Sequence, residues 1–267
     1  MKPSLTDFYG SPDLYDLLHA SGTDDEVWML DRIAKRHGTG GKVALEPACG
    51  TGRYMAGLLR RGWTVDGYDL SSKMVAYARK RLAKWGPKVR VERGDMAEYR
   101  PKRQYDLAFN LLSTFRHLPD DRSALAHLRS TAAALKPGGL FVLGLDLALY
   151  GLDRPDEETW AVTRSGRRFT HVMMTLPAQK RRRRERILNF VTVPTPRGQK
   201  VLESIYDLRS YSAEELAGLL LKTPFSLAAC YGYDGKPASL CGSERALWVV
   251  LKKPVTETRI RPGRTSR

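Results

Sequence analysis

The chain has 267 residues and a formal net charge of +16, from 45 basic and 29 acidic side chains. This length allows one large α/β domain, or one domain with an elaboration, and no apolar run reaches the roughly 18 residues of a membrane span, which excludes a transmembrane protein. The N-terminus lacks the apolar core of a secretory signal, and three widely spaced cysteines exclude a disulfide framework or an iron–sulfur ligand set, so we expect a cytoplasmic protein without a metal site. The basic excess favours a polyanionic partner, although solubility or an anionic small substrate would use it equally.

The first forty residues predict two helices. Ser11 is placed to cap the first helix, with Pro12 at its opening position. Thr23 and Glu26 have the spacing of a capping box for the second helix, and Gly38 can end it. A helical segment therefore precedes the first strand.

From residue 42 the pattern alternates between strand and helix. The runs that predict strands, with amphipathic stretches between them, are KVALE, WTVDGYD, KVRVERGD, YDLAFNLL and GLFVLGLD. Such a repeat predicts a parallel sheet with helices on both faces, which is the doubly wound α/β architecture. Residues 41–150 form this core, and two further strands within 211–253 complete a mostly parallel sheet of seven strands.

Residues 151–210 interrupt this alternation. Three strand-like runs, RRFTHVMMTL, RERILNFVTV and KVLESIYDLR, follow one another with turn residues between them and no helix. This order predicts an antiparallel β insertion. The last stretch, 254–267, is polar and basic with no periodicity, which predicts a disordered tail.

The stretch LEPACGTG, residues 45–52, follows the first predicted strand of the core and is placed to be the floor of a ligand site. Gly50 and Gly52 begin a dinucleotide fingerprint, but Met55 stands where its third glycine belongs. Glu46 would repel a pyrophosphate, whereas a ligand with an amine and a sulfonium would favour it. Asp69, 17 residues after Gly52, is placed to hold ribose hydroxyls. A ligand that has a ribose and a positive charge but no pyrophosphate fits S-adenosylmethionine (SAM). The same features disfavour a nicotinamide-dependent dehydrogenase.

These stretches, with GDM (94–96), YDLAFNLLSTFRHL (105–118) and LKPGG (135–139), resemble the class I SAM-dependent methyltransferases. The resemblance implies SAM as cofactor. The implied cofactor contacts are Glu46, Gly50, Gly52 and Arg53 on the methionine part, Asp69 and the adjacent Leu70 at the ribose, Asp95 and Met96 at the adenine, and Asn110 on the sulfonium side. Ala48 stands where many members of the family have glycine, a departure that we expect to be tolerated.

The stretches LYDLL (14–18), YDLRSYSAEELAGLL and YGYDGKP resemble small-molecule N-methyltransferases, the subgroup that includes glycine and amino-sugar methylating enzymes. There, residues matching 1–40 and 151–210 roof the acceptor pocket, and Tyr15 matches a tyrosine that approaches the cofactor. We therefore consider Tyr15 a cofactor-binding and catalytic candidate. His117, in the loop after the fourth strand, is a candidate general base. His171 and Tyr9 are weaker candidates, and transfer to a neutral amine needs alignment more than a base.

The basic run KRRRRER, residues 180–186, allows two interpretations. It could follow the phosphates of a nucleic acid, or it could be a solvated edge strand whose charges prevent edge pairing. No aromatic residue interleaves the run, and Leu111 after Asn110 breaks the motif of methyltransferases that act on bases, so we favour the edge strand.

The predicted function is methyl transfer from SAM to a small-molecule acceptor, at nitrogen rather than oxygen, by a monomer or homodimer. One alternative is an RNA or other macromolecule methyltransferase that uses the run at 180–186. Another is a non-catalytic SAM-sensing or RNA-binding protein of the same fold.

Overall fold

The computed structural model describes residues 4–5 and 10–255. Tyr9 and most of the predicted tail, from residue 256, lie outside the described residues. The helices are α1 (Pro12–His19), α2 (Thr23–His37), α3 (Arg53–Arg60), α4 (Ser72–Leu82), α5 (Asp121–Ala134) and α6 (Ala213–Leu220). The strands are β1 (Ser4–Leu5), β2 (Val43–Pro47), β3 (Thr64–Asp69), β4 (Val89–Arg93), β5 (Tyr105–Asn110), β6 (Leu135–Asp146), β7 (Asp156–Arg164), β8 (Arg167–Thr175), β9 (Arg184–Thr195), β10 (Gly198–Arg209), β11 (Ser226–Gly232), β12 (Pro237–Ala238) and β13 (Ala246–Lys252). No helix in the described part of the chain is long and apolar enough to cross a membrane.

The larger sheet has the strand order β12-β11-β13-β6-β5-β2-β3-β4. Strands β4, β3, β2, β5 and β6 are parallel, β13 runs antiparallel to β6, and β11 runs antiparallel to β13. This confirms the predicted fold class, and the two-residue β12 adds an eighth strand at the edge. The carboxyl ends of β2, β3, β4 and β5 therefore meet at one edge, where α/β sheets bind ligands.

Helices cover both faces of this sheet. On one face, α2, α3 and α4 contribute apolar side chains to a core that includes Leu30, Met55 and Trp63. On the other face, α5 and α6 pack with Phe141 and Tyr211. Each face buries a continuous apolar layer, which is the main favourable contribution to folding.

The capping box predicted for the second helix is wrong. Gly22 occupies the N-cap position in the left-handed region, at φ 76°, and Thr23 is the first helical residue. The Thr23 hydroxyl donates instead to the Ala20 carbonyl at 2.8 Å. At the first helix Ser11 is the N-cap residue and Pro12 follows as predicted, but the Ser11 side chain makes no capping hydrogen bond.

The insertion is a second sheet of five strands, in the order β1-β10-β9-β8-β7. The three predicted runs correspond to β8, β9 and β10, which pair antiparallel. The sequence did not indicate β7, whose outward face is almost entirely polar, nor β1, which adds to β10 in parallel. We refer to this five-stranded sheet as the roof.

Helix α1 lies between the roof and the larger sheet. Leu14, Tyr15 and Leu18 pack on the roof face that carries Val191, and the Trp160 indole donates to the Leu18 carbonyl at 2.8 Å. Of the two N-terminal helices only α1 reaches the roof, because α2 packs on the face of the larger sheet with α3. The N-terminal segment is thus divided between the two layers.

Candidate active site

A tight turn follows β2 at the ligand edge. Its left-handed residues are Ala48 (φ 51°), Gly50 (φ 51°) and Gly52 (φ 70°). Glycine adopts this region freely, but a left-handed residue with a Cβ costs roughly 1–2 kcal/mol. The alanine at position 48 is therefore a strained substitution rather than the mild departure that the sequence suggested. The turn brings the backbone of residues 48–52 close to the end of β3, where the Cys49 amide donates to the Tyr68 carbonyl at 2.9 Å.

Glu46, on β2 just before the turn, is only 6% exposed. Its carboxylate accepts a hydrogen bond from the Met55 amide, whereas Oε2 has no hydrogen-bond partner in the described structure. Burial raises the pKa of Glu46 well above its ordinary value of 4.5, although the Arg53 guanidinium opposes the shift. A buried acceptor without a partner is costly, so this oxygen fits a ligand that brings a cationic donor.

Arg53, the first residue of α3, is buried beside Glu46. Its guanidinium donates to the Thr23 hydroxyl at 2.5 Å and to the Tyr54 hydroxyl at 2.5 Å, and it lies 3.4 Å from a Glu26 oxygen. These contacts orient the charge at the turn. They also use some of the guanidinium N–H donors that the sequence analysis assigned to the carboxylate of a ligand.

Asp69, at the end of β3, is held by backbone. One carboxylate oxygen accepts from the Gly50 amide and the other from the Ser71 amide, each at 2.8 Å. The adjacent Leu70 is 60% exposed. Each Asp69 oxygen retains a lone pair, so the carboxylate can still accept from a hydroxyl group.

Asp95 and Met96 follow β4 at the same edge, and one buried histidine connects them with Asn110. Asp95 accepts from the Ala97 amide at 2.8 Å. His127, on α5, lies 3.0 Å from the Met96 carbonyl through Nδ1 and 2.8 Å from Asn110 Oδ1 through Nε2. Burial lowers the pKa of His127 to about 4, so the ring is neutral at pH 7. The sequence gave no signal for His127, because it lies on a helix among alanines.

Asn110 ends β5 and is 1% exposed. Its amide nitrogen donates to the Pro47 carbonyl at 2.8 Å, so its side chain ties the ends of β5 and β2 together. The Asn110 amide thus provides a hydrogen-bond partner for a backbone carbonyl at the end of a strand. From the sequence alone this structural role cannot be distinguished from contact with the cofactor. Its position beside the turn remains consistent with both.

A small cavity joins these groups. It measures about 40 Å³ and is lined by Tyr15, Glu46, Ala48, Gly50, Arg53, Asn110, Leu112 and their neighbours. Small-molecule pockets measure roughly 300–1,000 Å³, so this cavity can hold only one end of a ligand. Asp69 and Asp95 lie at the same edge of the sheet, outside the residues that line this cavity. We call this space the cofactor cavity.

A second cavity of about 560 Å³ lies under the roof and shares Tyr15 and Leu112 with the cofactor cavity. Burial raises the pKa of Tyr15 to about 12, although Arg53 opposes the shift, so the phenol stays protonated at neutral pH and can donate but not abstract a proton. The phenol ring stacks on His19, with 4.4 Å between centroids. Tyr15 therefore stands at the junction of the two spaces. We call the larger one the acceptor cavity.

The strand pairing explains which roof side chains face the acceptor cavity. Asp156, Glu158 and Trp160 alternate along one face of β7, opposite Thr175, Met173 and His171 of β8. The pairing continues through Ile187 of β9 to Tyr206 of β10. Apart from His171, sequence reasoning missed these residues, because the three consecutive acids of β7, Asp156 to Glu158, show no alternation of apolar and polar side chains.

Neither candidate histidine is placed as a base at the junction. His117 is the last residue of a short 3₁₀ helix, Thr114–His117. It is exposed and lines neither cavity, and the centroid of its ring lies 5.6 Å from that of Tyr206. His171 is 1% exposed, and its Nε2 lies 2.9 Å from Asn189 Oδ1. Within the described residues no cluster of His, Cys, Asp and Glu is arranged to hold a metal ion.

The basic run is not an edge strand. Residues 180–183 form the turn between β8 and β9, and the rest opens β9, which is paired on both sides. Arg183 forms salt bridges with Asp121 and Glu215 at 3.1 and 3.2 Å, and Arg186 forms one with Asp207 at 2.7 Å. Salt bridges therefore occupy two of the six basic side chains of the run, Arg183 and Arg186, whereas Lys180, Arg181 and Arg182 are exposed in the turn.

Comparison with known proteins agrees with this geometry. Residues 44–139 match a family described as a methyltransferase domain. This segment of the chain is similar to methyltransferase domains. The matched segment runs from β2 through the glycine turn to the start of β6, so it contains the whole cofactor edge from Glu46 to Asn110.

Curated relatives match over part of their length. A dTDP-3-amino-3,6-dideoxy-alpha-D-glucopyranose N,N-dimethyltransferase of Streptomyces fradiae is 31% identical over 134 residues, which cover 49% of this chain and 51% of the relative. A carboxy-S-adenosyl-L-methionine synthase of Chromohalobacter salexigens is 35% identical over 146 residues, which cover 51% of this chain and 50% of the relative. The chain thus spans about half the length of the curated relatives that it matches.

Solved structures extend the similarity of fold to nearly the whole chain. The sugar N-methyltransferase KedS8 from Streptoalloteichus superposes with a TM-score of 0.75 at 20% identity, covering 95% of this chain and 99% of that one. DesVI of Streptomyces venezuelae superposes with a TM-score of 0.74 at 22% identity, covering 91% and 97%. At these identities the match establishes the shared fold, roof included.

Proposed function

We propose that the chain transfers the methyl group of SAM to an amine nitrogen of a small molecule of amino-sugar type. The observation that carries this proposal is the junction at Tyr15 and Leu112, where a cavity with an unpartnered buried carboxylate oxygen meets a larger cavity under the roof. The names of the Streptomyces fradiae relative and of KedS8 support an amino-sugar acceptor.

The residues of the cofactor cavity fit the charges of SAM. Glu46 Oε2 would accept from its ammonium group, and Arg53 would face its carboxylate. Asp69 would accept from the ribose hydroxyls, and Asp95 with the Met96 backbone would hold the adenine. When bound, SAM supplies a methyl group on a sulfonium. The lone pair of the amine nitrogen forms a bond to the methyl carbon while the carbon–sulfur bond breaks, and the electron pair of that broken bond stays on sulfur.

The chain itself contributes alignment and exclusion of water. Tyr15 remains protonated, so it can orient the acceptor by donating a hydrogen bond but cannot remove a proton. The proton lost from the methylated nitrogen passes to water through the acceptor cavity, whose carboxylates can relay it. Holding two reactants in line can supply several kcal/mol of the barrier reduction without a dedicated base.

A methyl-transfer assay against an amine panel and bulk RNA, read as S-adenosylhomocysteine formed, tests the proposal. We expect turnover on amines and not on RNA, and calorimetry should show binding of SAM but not of NADH. Turnover confined to RNA would favour the macromolecule alternative. SAM binding without turnover on any acceptor would favour a SAM-sensing protein.

The setting that we propose is a reducing cytoplasm, and the free thiols of Cys49, Cys230 and Cys241 support it. We propose a monomer or a homodimer as the assembly.

A further inference from the structure

The acceptor cavity is negatively charged in a strongly basic protein. Five carboxylates and three guanidinium groups line it, a formal balance of two negative charges, whereas the whole chain carries +16. Burial lowers the pKa of the one lining histidine, His19, to about 4, so it adds no positive charge at pH 7. The local sign is thus opposite to that of the chain as a whole.

The guanidinium groups of the cavity are committed to protein partners. Arg116, 2% exposed, pairs with the buried Glu185 and also donates to the Arg209 carbonyl at 2.9 Å. Arg245 lies 3.2 Å from Asp153 and donates to the Leu147 carbonyl at 3.2 Å. These two charges neutralise the inner carboxylates.

The third guanidinium, that of Arg154, is exposed and donates to the carbonyl of Asp153 at 3.3 Å. It is thus turned to its own backbone. Arg116 and Arg245 therefore do not present the free, two-pronged donor pair that binds a phosphate group in proteins, and Arg154 is the one exposed guanidinium group among the residues that line the cavity.

Carboxylates without a basic partner remain at the mouth of the cavity. Within residues 10–255 no basic side chain forms a salt bridge with Asp156 or Glu158. Asp146 beside them accepts from the Ser113 hydroxyl at 3.0 Å and lies 4.0 Å from the Arg116 guanidinium, at the limit of a salt bridge. Burial, together with the charges of Asp156 and Asp146, raises the pKa of Glu158, so the three groups repel one another. A cation placed among them would relieve this repulsion.

Aromatic rings complete the surroundings of these carboxylates. Trp160 follows Glu158 by two residues on the same face of β7, and Tyr206 and Tyr233 line the same cavity. Aromatic faces attract ammonium groups, and the attraction is strongest where water is excluded. Carboxylates and rings together form a surface suited to an ammonium group.

We infer that the acceptor is a small molecule with at least two amines and no phosphate. One amine binds as a protonated ammonium group at Asp156, Glu158 and Trp160. Another amine, in its neutral form, reaches the junction at Tyr15. This inference rests on the proposed function. It distinguishes the chain from the relative named for a sugar nucleotide, because a nucleoside diphosphate would bring two negative charges into a cavity whose own formal balance is two negative charges.

Calorimetry with S-adenosylhomocysteine present tests the inference on three probes: glucosamine with one amine, neamine with several amines, and UDP-glucosamine with one amine and a diphosphate. We expect neamine to bind at least about tenfold more tightly than glucosamine, and UDP-glucosamine to bind more weakly than glucosamine. The neamine affinity should fall as salt is raised.

Matched variants locate the effect. Glu158→Gln should weaken neamine binding about five- to tenfold, whereas Glu157→Gln, the adjacent carboxylate on the opposite face of β7, should leave it unchanged. Both variants should keep the wild-type affinity for S-adenosylhomocysteine. Equal binding of neamine and glucosamine, or tighter binding of UDP-glucosamine, overturns the inference. Failure of the wild-type protein to bind S-adenosylhomocysteine would instead contradict the proposed function.

Discussion

Replacing Glu46 with glutamine should change stability and cofactor affinity in opposite directions. Glutamine keeps the shape of the side chain and removes the charge that would meet the ammonium group of SAM. A hydrogen bond to a charged group contributes about 1.5–3 kcal/mol, so the dissociation constant for SAM should rise about 10- to 150-fold. Titration calorimetry of wild type and Glu46→Gln at pH 8 measures this change directly, with the exposed Glu157→Gln as the control.

The ligand-free Glu46→Gln variant should be more stable at pH 8 than the wild type. The pKa of Glu46 is raised in the folded state above its unfolded value of 4.5, so the unfolded chain loses its proton first as the pH rises, and the wild type loses stability above that pH. Glutamine does not ionise, so a thermal melt should show a higher Tm and a smaller decline between pH 5 and 8. A variant that melts lower and binds SAM normally would refute the assignment of Glu46 to the cofactor.

Three other substitutions probe the surroundings of the site. Asp16→Ala removes the α1 carboxylate that contacts Arg81 and accepts from the Thr51 hydroxyl at 2.8 Å; it should speed SAM dissociation several-fold in stopped-flow experiments, and an unchanged rate would show that α1 does not retain the cofactor. Ala48→Gly relieves roughly 1–2 kcal/mol of left-handed strain against about 0.4–1 kcal/mol of added chain entropy, so denaturant unfolding should show a change between no effect and about 1.6 kcal/mol of stabilisation; a clear loss would contradict the strain. Arg116→Met leaves Glu185 buried without its guanidinium partner, so it should lower the free energy of unfolding by about 3–5 kcal/mol. Adding Glu185→Leu should recover most of this loss, and no recovery would mean that Arg116 acts through other contacts.

Local patterns were sufficient to predict the larger sheet and to place the proposed cofactor residues at one edge of it. The alternation of strands and helices fixed the order of elements, and the glycine turn with Glu46 needed only a short stretch of sequence. Asp69 and Asp95 could be placed at the same edge because parallel strands end together. These features depend on residues that are close in sequence, or on a rule of topology.

The acceptor side could not be predicted in the same way, because its contacts join distant segments. Arg116 and Glu185 are 69 residues apart and meet only when the roof folds back on the larger sheet. The β7 run carries charge on both faces, so its hydrophobic pattern gave no strand signal. The predicted cap at Thr23 failed for a local reason, since Gly22 took the N-cap position in a conformation that favours glycine.

Four of the five strands of the roof, β7 to β10, form one insertion in the chain between β6 and α6. The Ala148 amide donates to the Tyr211 carbonyl at 2.8 Å, so the chain leaves the larger sheet and returns to it at neighbouring positions. A segment whose ends meet can be inserted, lengthened or exchanged by recombination with little disturbance of the framework that receives it. Evolution could therefore alter acceptor specificity in this architecture without rebuilding the cofactor edge. A chimera that carries residues 149–210 of a homologue should retain SAM affinity while adopting the acceptor preference of the donor.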